Sequence, residues 1–65
     1  MRLVVKVTQE PEGIHRAWVP ALPGCSVRAR SLDEARRRIQ SAARGYLASM
    51  NVAVPPVLNT DLVTV

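Results

Sequence analysis

Cys25 and His15 are the only side chains in this sequence that pair a nucleophile with a classical base. They fall on neighbouring predicted strands, so they can come close. A cysteine nucleophile also needs an oriented base and an oxyanion site, and no residues here supply either. A single cysteine beside a glycine, on an apolar strand face, reads as a small core residue. The carboxylates Glu10, Glu12, Asp33, Glu34 and Asp61 are scattered. Metal-assisted phosphodiester cleavage needs carboxylates converging on one or two ions, and no predicted strand interior offers one. There is no P-loop, dinucleotide fingerprint or zinc spacing. No catalytic residue, metal ligand or cofactor-binding residue is assigned, and the chain is expected not to be an enzyme.

The remaining constellation is basic. The net charge is +4, and nearly all the cations are arginine. Such a balance permits contact with nucleic acid or with an acidic protein surface. Arg36, Arg37 and Arg38 are consecutive, so on a helix they fan through about 200° and form no single patch. Arg37 and Arg44 lie one heptad apart with Arg36 beside them, an arrangement that can grip phosphates. Arg36, Arg37 and Arg44 are therefore the candidate nucleic-acid contacts of an alternative reading. Against it, Trp18 and Tyr46 are the only aromatic residues, whereas single-strand binders usually stack bases on several.

These residues must be positioned by a small set of elements. Residues 2–9 alternate, with Leu3, Val5 and Val7 on one face and Arg2, Val4, Lys6 and Thr8 on the other, the mark of a strand with one buried side. Residues 10–13 form a turn in which proline fixes φ and glycine accepts a positive one. Residues 14–19 are a second strand, Ile14, Arg16 and Trp18 facing one way, His15, Ala17 and Val19 the other. Pro20 and Pro23 cannot donate to a ladder, so residues 20–24 are a loop or an edge crossing. A third strand spans 25–30, with Cys25, Val27 and Ala29 on one face. Ser31 then caps a helix: its hydroxyl can accept from the Glu34 N–H, and the Glu34 carboxylate can return to the Ser31 N–H. Ala35, Ile39, Ala42, Ala43, Tyr46, Leu47 and Met50 make one apolar stripe. Gly45 weakens the helix and invites close packing on the sheet. Asn51 is a stop signal, and Pro55-Pro56 prevent continuation. Residues 62–65 are apolar and β-branched enough for a short fourth strand.

The expected fold is α+β, β-β-β-α-β, with one helix on a mixed sheet of order 3-2-1-4. A right-handed crossover through the helix sets the last strand parallel to the first. Sixty-five residues make a single domain, and a chain of that size buries only roughly 60% of its unfolded surface. One cysteine permits no internal disulfide, so association with a partner is the expected source of extra stability. The second sheet face has no helix to cover it. Val4, with Trp18 or Val19, is the candidate oligomer or partner face, and a homo-oligomer, dimer or tetramer, is expected. No segment reaches the roughly 20 apolar residues of a membrane span. Nor does the N-terminus carry the apolar run of a secretory signal. No membrane partner and a cytoplasmic location follow as expectations.

The run Val19-Pro20-Ala21-Leu22-Pro23-Gly24-Cys25, followed by Ser31-Leu32-Asp33-Glu34-Ala35, resembles the HicB family of antitoxins. There a strand ending in V-P-x-L-P-G-C leads to a T/S-L-x-E-A helix start. The matching motif residues are Pro20, Leu22, Pro23, Gly24, Cys25, Ser31 and Glu34, within a similarity that spans roughly residues 3–50. The resemblance implies a partial ribonuclease H-like fold without catalytic acids, self-association, and neutralisation of a HicA-type mRNA-cleaving toxin. Family members often carry a further DNA-binding module, which is not expected here because the sequence ends after the fourth strand. Ala21 and Arg30 stand where the family often has an acid. Charge attraction to a basic toxin is therefore expected to be weak.

Overall fold

The computed structural model describes residues 1–65. Strand β1 (Arg2–Gln9) is joined to β2 (His15–Trp18) by a 3-10 turn over Pro11–Gly13. Strand β3 (Ser26–Ala29), helix α1 (Leu32–Ser49) and β4 (Asn59–Thr64) follow. The four strands form one sheet of order β3-β2-β1-β4, antiparallel between β1 and β2 and between β2 and β3, parallel between β1 and β4. The expected topology is therefore the observed one: α+β, with one helix on a mixed sheet.

The first hairpin turns where a proline and a glycine stand. The Glu10 N–H donates to the Ile14 carbonyl at 2.7 Å, and Gly13 takes φ +75°. Glu12 also adopts a left-handed φ of 66°, a conformation uncommon outside glycine.

Strand alternation sorts residues as their polarity requires. Val5, Val7, Ala17, Cys25 and Ala29 are buried on one face of the sheet. Helix α1 closes that face with Ala35, Ile39, Ala43 and Leu47, a strict i, i+4 row. Alanine at two of the four lets the helix axis approach the sheet, and Ile39 fills the centre with no exposed area. Of the expected stripe, Ala42 and Tyr46 lie at the margin of the core and Met50 is exposed. Gly45 corrects an expectation: it faces open space, with nothing within 4 Å of where a Cβ would stand. It makes no close approach to the sheet.

Both helix ends carry their caps. The Glu34 N–H donates to Ser31 Oγ at 3.2 Å. The Glu34 carboxylate does not complete a capping box; it pairs with Arg38, one turn on. At the other end Asn51 takes φ 60°, its N–H reaches the Ala48 carbonyl and the Val52 N–H reaches Leu47. That bond pattern is a Schellman stop with asparagine in the glycine position.

The crossover from α1 to β4 is held by the helix. Proline carbonyls in a loop have no ladder donors, and Arg44 supplies them, donating to Pro55 at 3.2 Å and Pro56 at 3.0 Å. Gln40 Nε2 donates to the Leu58 carbonyl at 2.7 Å, beside the buried Leu58 side chain. β4 begins at Asn59, three residues before the predicted start, because its ladder with β1 recruits the polar run Asn59-Thr60-Asp61.

Candidate binding surface

All twelve buried residues are apolar, and no buried side-chain nitrogen or oxygen lacks a partner. The interior therefore holds nothing that can do chemistry beyond the Cys25 thiol, whose pKa burial pushes up. A raised pKa disfavours the thiolate, the nucleophilic form. The carboxylates are dispersed: Glu10 pairs with Arg28 at 2.9 Å, Asp61 with Arg2 at 3.4 Å, and Glu34 with Arg38. Asp61 lies inside β4, where a loop was expected. No three His, Cys, Asp or Glu side chains converge.

The motif residues build a structural device. The Leu22 N–H donates to the Val19 carbonyl at 3.0 Å, and the Cys25 N–H to the Leu22 carbonyl at 2.9 Å. Two successive β-turns thus share Leu22 as their corner. Pro20 and Pro23 each occupy the second position of a turn, where a φ near −65° is needed. Gly24, third in the second turn, takes φ +85°, which a type II turn reserves for glycine. Val19, Leu22 and Cys25 are buried, so every third residue anchors the double turn in the core. The Val19 N–H then donates to the Cys25 carbonyl at 3.1 Å and launches the β2–β3 ladder. Pro20, Leu22, Pro23, Gly24, Cys25 and Ser31 are thereby accounted for by folding.

Val19 was a candidate for the uncovered face and is corrected: it is 2% exposed and belongs to the core. Val4 and Trp18 do lie on the uncovered face. The register sets Lys6 opposite Trp18 and Trp18 opposite Ser26. It also sets Val4 opposite Asp61 and Lys6 opposite Val63. Alternation then gives this face two unlike halves. Around β1 and β4, Val4 (48% exposed), Val63 (44%) and Val65 (60%) make an apolar area. Around β2 and β3, Arg16 and Arg28 stand directly opposite each other, with Lys6 one strand away. The Arg16 guanidinium lies over the Trp18 indole, 4.8 Å from the ring centre, a cation–π contact.

The helix arginines divide in the same way. Arg36 and Arg37 are exposed and form no ion pair with a carboxylate. Arg44 is half-buried and committed to the loop carbonyls, so it leaves the set of candidate nucleic-acid contacts. Arg38 donates to the Arg28 carbonyl at 3.2 Å, tying the helix start to the outer edge of β3.

The chain is 36% identical over 47 residues to a UPF0150 protein of Archaeoglobus fulgidus, covering 72% of this chain and 68% of that one. It is 36% identical over 50 residues to a UPF0150 protein of Thermoplasma acidophilum, covering 77% and 72%. This chain belongs to the UPF0150 family. No family model matches it, and no solved structure does.

Within this UPF0150 fold the residues that sequence reasoning passed over are Lys6, Arg16 and Arg28. Their signal was present in the alternation of the first three strands, which puts Arg2, Lys6, Arg16 and Arg28 on one face beside Val4 and Trp18. The consecutive arginines of the helix drew attention instead, although two of the four on that helix serve folding.

Proposed function

We propose that this chain is a non-catalytic, self-associating protein-binding module of the antitoxin type, similar to HicB, whose partner is a small mRNA-cleaving ribonuclease of the HicA type. The observation that carries the reading is the double turn Val19–Cys25 running into the Ser31-capped helix. It joins β2, β3 and α1 on a sheet of order β3-β2-β1-β4, a strand order that supports the partial ribonuclease H-like layout implied by the resemblance. The apolar half of the uncovered face supports the protein-binding part. Val4, Val63 and Val65 stand out from β1 and the open edge strand β4. Exposed apolar area on so small a domain favours burial against a second protein.

An RNA-cleaving partner that grips phosphates is itself basic, so a chain of net charge +4 gains little from charge attraction to it. Apolar contact then dominates, and the affinity changes little with salt. The experiment is an mRNA-cleavage assay with a HicA-type ribonuclease, with and without this protein. The proposal expects a stoichiometric loss of cleavage that persists at high salt. Unimpeded cleavage with excess protein, together with failure to co-purify, overturns it. RNA cleavage by this protein alone overturns the non-catalytic assignment.

A further inference from the structure

We infer that the basic half of the uncovered sheet face binds a single-stranded nucleic-acid segment, with a base stacked against the Trp18–Arg16 pair and phosphates taken by Lys6, Arg16 and Arg28. This goes beyond the protein-binding reading and occupies the other half of the face.

Charge is the first argument. The face carries four cations, Arg2, Lys6, Arg16 and Arg28, against two anions, Asp61 paired with Arg2 and Glu10 paired with Arg28. Arg16 and Arg28 are direct cross-strand partners, and like charges directly opposite destabilise a sheet. Folding does not call for that pair. Glu10 relieves only Arg28; Arg16 and Lys6 have no carboxylate partner.

Geometry is the second. The Arg16 guanidinium over the indole, 4.8 Å from the ring centre, sets a flat cationic group beside an aromatic ring at the centre of the patch. Nucleobases stack on such surfaces irrespective of sequence. An acidic peptide would use the charges and leave the planar stack without a role. Lys6 stands directly across from Trp18 on β1 and Arg28 diagonally from it on β3, roughly 12 Å apart by strand spacing and rise, room for a segment of a few nucleotides. An open hollow lined by Arg16, Ser26, Val27 and Arg28 continues the patch to the free edge of β3.

Trp18 is the only tryptophan, so its fluorescence reports on the patch alone. The test titrates the intact protein with short labelled oligouridylate, reading both oligonucleotide anisotropy and Trp18 emission. The expected result is a rise in anisotropy with concurrent quenching. The log–log salt slope should be about −1.4 to −2.1, for two or three phosphates neutralised on a single strand. Lys6→Gln with Arg16→Gln should weaken binding about tenfold or more and flatten the slope, with the circular dichroism spectrum retained. Arg36→Gln with Arg37→Gln should leave binding unchanged. Absence of binding overturns the proposal, as does binding that leaves Trp18 emission unaltered or that the helix variant alone abolishes. Two probes separate the rival occupants. Polyaspartate binding as tightly as the oligonucleotide would assign the patch to acidic protein. Uridine monophosphate binding as tightly would make it a mononucleotide site. Either result overturns the proposal while leaving the ribonuclease-binding reading untouched.

Discussion

The two faces of the sheet are built from alternate residues of the same strands, yet they obey different rules. The covered face presents Val5, Val7, Ala17, Cys25 and Ala29 to helix α1 and holds no charge. The uncovered face presents Arg2, Lys6, Arg16 and Arg28 beside Val4, Trp18 and Val63. Changes on the first alter packing, and the chain has little stability to lose: a domain of this length typically has about 3–10 kcal/mol. On the proposed reading, changes on the second leave the fold standing and alter what the molecule can bind. On that reading, one residue's step along a strand separates a folding role from a binding role.

The sharpest way to break this contrast is to truncate one residue on each side. Ile39→Ala should cost about 2–5 kcal/mol, the range for an isoleucine emptied from a closed core. Lys6→Ala should stay within about 0.5 kcal/mol. Urea unfolding of the pair checks both, and a Lys6→Ala loss as large as that of Ile39→Ala would erase the distinction. The double turn is next in size. Gly24→Ala forces a side chain into φ +85° and should cost about 1 kcal/mol or more, read as a lower denaturation midpoint. Gly45→Ala sharpens the comparison from the other direction. Its Cβ enters open space on the solvent side of the helix, so the variant should be more stable by about 0.5–1 kcal/mol. The smallest effect is the pH dependence of Cys25. Burial raises the folded thiol's pKa, so its contribution is intact below the unfolded value, about 8.5. It is lost as pH rises from there through the folded value. The difference in stability between the wild type and Cys25→Ala should therefore shrink above that pH, in paired melts across the alkaline range.

Most of the fold was legible because its determinants are local. Period-two alternation marked β1 to β3, Ser31 and Asn51 marked the helix ends, and the prolines with Gly24 marked the double turn. The start of β4 was not legible. Asn59 and Asp61 disfavour strands, and with Thr60 between them they are recruited by the parallel ladder with β1. Trp18 and Val19 stood as alternatives for the uncovered face because alternation sorts a strand into two faces without showing which one the helix covers; Val19 shares the face of buried Ala17. Gly45 was given a packing role that only the neighbours of the helix could decide. The candidate surface was half visible. Val4 was placed by alternation and Trp18 as one of two alternatives, but recognising Arg16 opposite Arg28 required the strand register. The commitment of Arg44 required the path of the crossover loop. Side-chain duties that depend on chain segments far apart in sequence do not show in local spacing.

On the proposed reading the uncovered face is a binding surface, and the partner always at hand is a second copy of the chain. The most direct measurement is the solution mass by light scattering at micromolar concentration, for the wild type and for Val63→Asp, with folding verified by circular dichroism. The account expects at least twice the 7.1 kDa chain mass for the wild type, and a shift toward the single-chain mass for the variant. A wild-type protein that is folded and stable as a 7.1 kDa monomer would contradict it.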